Sequence, residues 1–311
     1  MKLSELLKLR QELLSVDISQ LESLSKKLSA NTNAIDFLSY DSSGVLDSVA
    51  ECKNNLVAIR EKIAESVAVI DLDIARLDIE YKAKCREEER FHLRASIQDN
   101  RELRKYFMHP NAREVVIGRL GQYTNWKYPG IEIGPGDGQW TNHLVGMDPL
   151  YLVDVYEEFL NSTKLKFHPV YQSRLRTYKI PHGDLSALPE KQFGFVFSWN
   201  VFNYFSLDTI CLYLEKIKPL MRPGGVVMFS YNNCENYKSA ELFENRYMTY
   251  VPNKDLSEKI KEMGYKIITA RNEPTSVSWI EIKVPGELSS IRAGQTLGKI
   301  KTLGNESSDT I

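Results

Sequence analysis

Glycine and proline are almost missing from the first third of this chain. Residues 1–108 hold one glycine, Gly44, and no proline, against 17 and 12 in the full 311 residues. A stretch with so few turning points excludes a β-rich or loop-rich domain and favours long helices. Cysteine is also scarce: Cys52, Cys85, Cys211 and Cys234 stand far apart, with no CxxC pair and no zinc-type spacing. Neither a disulfide framework nor a metal site is expected, and a reduced, cytoplasmic setting fits best. No apolar run approaches the roughly 18 residues of a membrane span. The opening MKLSELLKLRQELL alternates charge with leucine and lacks the apolar core and cleavage site of a signal peptide. An excess of one charge is absent as well. Forty basic and 41 acidic side chains leave a net charge of −1. Residues 1–108 carry 17 basic and 19 acidic groups, so the remainder carries 23 and 22. Neither part offers a broad electrostatic surface to nucleic acid.

What is present falls into two parts. Val49, Leu56, Ile59, Ile63, Val67, Ile70, Ile74, Leu77 and Tyr81 follow one another at steps of three or four after the first interval. This is the seam of a long amphipathic helix, with a phase shift near Ser66. A shorter helix over about Leu3–Leu28 precedes it, and residues 29–43 read as the connecting loop. Two such helices form an αα-hairpin or pair with another copy of the chain, so residues 1–108 are expected to be a helical, coiled-coil arm for oligomerisation. His109-Pro110 is expected to close the arm. An aromatic-rich connector, Tyr106–Tyr128, comes next.

Beyond it short apolar strands alternate with helical stretches. Strands are expected at Gly130–Ile133, Leu150–Val155, Leu175–Ile180, Phe193–Ser198, Val226–Tyr231, Lys266–Arg271 and Trp279–Val284. Helices are expected at Gly138–Val145, Tyr156–Phe167, Leu207–Met221 and Asn253–Met263. This alternation predicts an α/β domain over 109–285, with a doubly wound, mostly parallel seven-stranded sheet and its ligand at the carboxyl ends of the strands. The last two strands suit an antiparallel hairpin. Residues 286–311 are polar and read as a tail.

The sequence Ile131-Glu132-Ile133-Gly134-Pro135-Gly136-Asp137-Gly138 sets three glycines directly after the first strand. Glycine lets the backbone turn sharply and approach a ligand. The second strand ends in Asp154, 20 residues after Gly134, where a carboxylate can accept both hydroxyls of a ribose. A dinucleotide fingerprint requires glycine at position 139, which is Gln139 here. The spacing therefore favours a smaller nucleoside ligand over a pyrophosphate.

These motifs resemble the class I S-adenosylmethionine-dependent methyltransferases across about residues 128–285. EIGPGDG is similar to the family's first motif. The resemblance implies that Glu132 orders the loop and that Gly134, Gly136 and Gly138 border the methionine part of the cofactor. It places Asp154 on the ribose. His182-Gly183-Asp184-Leu185-Ser186-Ala187-Leu188-Pro189 is similar to the segment after strand three, where Asp184 and the Leu185 backbone would fix the adenine. Phe195–Val201, with Ser198 and Asn200, resembles the fourth strand and the loop beneath the methionine moiety. Leu220–Gly225 looks like the turn into strand five.

Departures narrow the chemistry. Phe202-Asn203-Tyr204 stands where many small-molecule members carry Leu-Glu-His, so no histidine base carries over at that position. The Pro-Pro motif of amino-directed nucleic-acid enzymes is absent, and no cysteine has the context of a nucleophile. Candidate bases near the strand ends are His182, His143 and Asp208. Tyr204, Tyr231 and Asn232 are candidate acceptor contacts, and Trp199 and Phe202 either pack on the cofactor or fill the core. The segment Asn232–Tyr250 is long enough to act as a lid or acceptor wall. Its aromatics suit a small polar molecule or glycan; they also suit packing of the arm. The leading expectation is methyl transfer to such an acceptor. The alternatives are a protein methyltransferase recruited by the arm, and an assembly protein with a methyltransferase-like domain.

Overall fold

The computed structural model describes residues 1–16, 23, 26–27, 43–97, 110–181, 183–272 and 277–288. Seven strands form one sheet: β1 (Gly130–Ile133), β2 (Leu150–Asp154), β3 (Leu175–Lys179), β4 (Phe193–Ser198), β5 (Met221–Tyr231), β6 (Lys266–Arg271) and β7 (Ser278–Lys283). Their order is β3-β2-β1-β4-β5-β7-β6. The first five run parallel, and β7 lies antiparallel between β5 and β6. Every residue of β1 and β4 is buried, as a strand covered on both faces requires.

Each face has its own helices. Ile131, Ile133, Val153, Val227 and Phe229 pack against α6 (Leu207–Ile217) and α8 (Asn253–Glu262). Leu150, Leu152, Phe195 and Phe197 pack against α3 (Pro110–Tyr123) and α4 (Glu157–Leu165). A single turn, α5 (Pro169–Gln172), leads into β3. The doubly wound α/β fold expected from the alternation is therefore present, hairpin included.

Three local expectations need correction. Pro110 does not merely close the arm: it is the first residue of α3, where its missing N–H is no loss. The apolar series Ala112, Val116, Leu120 then turns part of the expected connector into a buried helix. Gly138–Val145 is not an α-helix; only Thr141–His143 forms a 3-10 turn. The left-handed backbone at Gly134, Gly136 and Gly138 keeps the chain from entering a helix earlier. The first helix, α1, runs Leu3–Leu14 and is capped at Ser15; residues 23 and 26–27 are again helical, and the rest of the expected stretch to Leu28 lies outside the described residues. The connecting loop at 29–42 and the stretch from Ala293 to Ile311 lie outside the described residues.

The seam helix, α2 (Ser43–Ile97), has 55 residues, roughly 80 Å at 1.5 Å per residue. Its seam is engaged only in part. Ile70 and Leu77 are buried, whereas Ile59 is 45% exposed and off the contact. Helix α1 runs antiparallel to it: Arg10 pairs with Asp71 at 2.6 Å, while Leu3 and Leu6 join Ile70, Leu77 and Cys85 in one apolar cluster.

That cluster also contains Cys234, Ala240, Phe243 and Tyr250 from the segment after β5. Asn232–Tyr250 is thus not a lid. It carries α7 (Tyr237–Glu244) and docks the arm onto the sheet domain. Tyr81 meets the rings of Phe243 and Tyr250 at 5.1 and 5.6 Å, and its hydroxyl donates to Glu244. Ser4 of α1 donates to the same carboxylate. The Tyr250 hydroxyl donates to Asp78 at 2.7 Å, and Lys82 bridges Asp78 and Asp255.

One charged pair lies within the sheet's helical layer. Glu281, in β7, is fully buried and accepts from Arg119 and Tyr123 of α3. Removing one partner of a buried pair strands the other charge. Arg119→Met should lower stability by about 3 kcal/mol in urea unfolding, the lower end of the range for such losses. A change below about 1 kcal/mol would show that solvent already screens Glu281.

Candidate functional site

The parallel register brings the strand ends level. Ile133 pairs with Val153 on one side and with Ser198 on the other, and Ser198 pairs with Phe229. The next residues along each strand, Gly134, Asp154, Trp199 and Ser230, therefore share one edge of the sheet, where a doubly wound fold places its ligand.

The glycine turn is held from below and from the side. Gly134 adopts φ 71° while its N–H donates to the Val153 carbonyl at 2.8 Å. A side chain there would run into Val201, so the turn and the loop after β4 approach closely. The Gly136 carbonyl accepts from Thr163 of α4 at 2.9 Å. A Cβ on Gly136 would meet nothing within 4 Å, so this part of the turn faces open space. Beneath it Glu132 is 2% exposed and accepts from the Thr141 hydroxyl at 2.6 Å. Burial pushes its carboxyl up to about 8, against the opposing pull of that hydrogen bond.

Asp154 ends β2. Its Oδ1 accepts from the Tyr156 backbone N–H at 2.9 Å. Burial raises its pKa, and the backbone N–H donors pull it back. Past β3, Asp184 is exposed and Leu185 buried. Asp184 accepts from the Ser186 N–H, and the Ser186 hydroxyl together with that N–H holds its carboxyl below the usual range. The Gly183 N–H donates to the Tyr213 hydroxyl. Loops, two carboxylates and an open glycine turn thus lie along the edge of β1, β2 and β3, a strip with an acid for hydroxyls and room against bare backbone.

Residues 131–227 match the family model described as a methyltransferase domain. Over these residues the sheet domain is similar to a methyltransferase domain. Solved structures with a similar course include a SAM-dependent methyltransferase from Aquifex aeolicus, at 15% identity and TM-score 0.45, covering 62% of this chain and 98% of that one. The N-methyltransferase NodS from Bradyrhizobium japonicum WM9, in complex with S-adenosyl-L-homocysteine, has 13% identity and TM-score 0.47, covering 63% and 97%. No curated protein sequence matches the chain.

Beyond β4 the sheet domain builds a second layer. Ser198 is buried and donates to the Ile133 carbonyl at 3.1 Å, which ties β4 to β1. Asn200 is exposed with φ 55°, and its N–H donates to the Ser230 hydroxyl at 2.7 Å. Ser230 in turn donates to Asn203 Oδ1 at 2.8 Å. This buried relay fixes an otherwise unfavourable left-handed asparagine. Nothing in the sequence marked Ser230 or Asn203, because their partners are 27 to 30 residues away.

Other candidates separate here. Trp199 stacks with Phe197 and meets Trp140 and Trp279, while Phe202 packs among Phe205, Tyr213 and Phe229. Both are core. Asn232 spends its amide on the Ser239 and Thr249 carbonyls, and Tyr231 donates to Asn253. Tyr204 remains half-buried, and burial lifts its phenol to about 12. His143 follows Trp140 on the α3 side, where burial and Arg113 lower its pKa. Asp208 lines a cavity of about 110 Å³ with Lys82, Cys85, Tyr250 and Asp255, and no glycine-turn residue shares it. His182 lies outside the described residues.

Glu132 supplies a pH test. Its folded pKa is raised, so the folded state binds more protons than the unfolded chain between the ordinary carboxylate range and about 8. Stability should be greatest at acid pH within that window and fall as pH rises to about 8. Glu132→Gln should flatten the slope in denaturation measured from pH 5 to 9. An unchanged slope would assign the dependence to another group.

Proposed function

We propose that this protein is an S-adenosylmethionine-dependent methyltransferase that transfers the methyl group to a small, uncharged polar acceptor such as a glycan hydroxyl, with the helical arm joining two copies of the chain. The cofactor's sulfonium supplies an activated methyl group, so the protein has to bind, align and desolvate. Asp154 would accept the ribose hydroxyls through the carboxylate oxygen that Tyr156 does not occupy. Asp184 and Leu185 would fix the adenine, and Gly134, Gly136 and Gly138 would let the backbone approach the methionine moiety. Glu132 and Ser198 would act from beneath, by holding the turn and the end of β4, with Asn200 beside them.

The observation that carries the acceptor reading is Tyr204. It sits one 3-10 turn after Val201, the residue packed over Gly134, and that turn also contacts α2. Its phenol keeps its proton at neutral pH. Such a group hydrogen-bonds an acceptor without taking its proton, which passes to water as the oxygen–methyl bond forms and the sulfur–methyl bond breaks; Tyr204 is thus a positioning group rather than a base. The surrounding wall, Asn232–Tyr250, is fixed by buried contacts. A fixed wall with a neutral phenol and the Asn200 amide suits a compact polar molecule better than a protein segment.

Calorimetry with S-adenosylmethionine tests the cofactor strip. Asp154→Ala should weaken binding at least tenfold, about 1.4 kcal/mol. Unaltered affinity would remove Asp154 from the ribose, and no binding by the native protein would favour an assembly role. For the acceptor, release of S-adenosylhomocysteine can be followed over a panel of sugars, sugar nucleotides and protein extracts. Tyr204→Phe should lower kcat/KM about tenfold on a small acceptor, the loss of one hydrogen bond, with cofactor affinity unchanged. Turnover on protein alone would overturn the reading.

A further inference from the structure

Helix α2 has two apolar faces, and among the described residues only one is covered. Ile70, Leu77 and Cys85 face α1 and the insertion. About half a helical turn away, Ala68, Val69, Leu72, Ala75, Ile79 and Ala83 form a second stripe, all of them exposed. Leu72 and Ile79 are 74% and 71% exposed, and Val69 is 62%. The helix carries them as alternating sizes at steps of four, three and four: Ala68, Leu72, Ala75, Ile79. This is a heptad seam in its own right, with small residues at one position and large ones at the other.

The charges along this stripe are ordered. Glu61 and Glu65 precede it, and Arg76 and Lys82 lie toward its carboxyl end. Parallel pairing with a second copy would set Glu65 on Glu65 and Ala75 on Ala75. Antiparallel pairing about a two-fold axis midway between Leu72 and Ala75 reverses both faults. Leu72 then meets Ala75 of the second copy, Ala68 meets Ile79, and Glu65 meets Lys82. Large fills small at each layer, and an acid faces a base. Lys82 has three ammonium donors, of which Asp78 and Asp255 engage two at 2.6 and 2.5 Å. The axis also lies near the middle of Ser43–Ile97, so the two helices overlap along most of their length. The catalytic domain docks on the opposite face of α2, which leaves room for the second helix.

We infer that the outward face of α2 is a self-complementary surface that pairs antiparallel with a second copy of this chain, in the register Leu72 to Ala75 and Ala68 to Ile79. The inference rests on the proposed self-association of the arm and adds its face, direction and register. Isologous contacts of this kind close as a dimer.

The test uses the full chain with exposed Cys52 replaced by serine. Ala68→Cys and Ile79→Cys variants are prepared separately, checked for unchanged helix content by circular dichroism, and oxidised mildly, alone and mixed. Light scattering should give twice the mass of one chain before oxidation. A disulfide-linked dimer should form in the mixture, joining position 68 to position 79, and not in either variant alone. Cross-linking of each variant to itself would mean parallel pairing: the register fails and self-association stands. A dimer without any cross-link would move the contact to another surface, and a monomeric mass at every concentration would overturn both. As a second readout, Leu72→Glu should abolish the dimer while calorimetric binding of S-adenosylmethionine stays within twofold. A dimer that persists in Leu72→Glu would exclude this face.

Discussion

Strand β1 is four residues long, and the rest of the site depends on how it is paired. It is hydrogen-bonded on both sides, and with every residue buried it has no freedom to slip by one position without turning Ile131 and Ile133 out of their layer. That fixed register sets the Gly134 turn level with Asp154 and with the end of β4. The buried acid Glu132 sits in the same strand and takes its hydrogen bond from Thr141, the first residue of the 3-10 turn. Strand pairing, turn geometry and the raised carboxyl are one connected arrangement.

The sheet was legible in the sequence because its signals are local. Near-continuous apolar runs such as FGFVFS can only be two-sided strands, and the glycine spacing sits directly against one of them. Pro110 was legible but ambiguous: proline is found both after a helix and at its first turn, and only the burial of Val116 and Leu120 decides. The residues that hold the β4 loop were not legible. Ser230 and Asn203 have ordinary neighbours, and their meaning comes from contacts across the sheet. Tyr231 and Asn232 looked like acceptor contacts because they end a strand on the ligand side. The fold instead uses them to anchor the insertion.

The insertion explains why the arm and the catalytic domain cannot be considered apart. Phe243 and Tyr250 are buried only because Tyr81, Leu3 and Leu6 cover them. Glu244 accepts from both helices of the arm at once. The polar groups at this junction are satisfied across it rather than within either part, so the boundary near residue 108 divides the sequence more sharply than it divides the core.

A helix of 55 residues whose contacts among the described residues lie mainly between Ile70 and Cys85 has the mechanics of a lever. From Ile70 back to Ser43 it extends roughly 40 Å beyond the grip at 1.5 Å per residue. A tilt of about 5° at the tyrosine cluster would therefore carry the far end by about 3.5 Å. The converse holds too: a force on the distal turns is concentrated, by the ratio of the two arms, on Tyr250 and the wall beside Tyr204. The packing of that wall and the posture of the arm are in this sense a single mechanical coordinate.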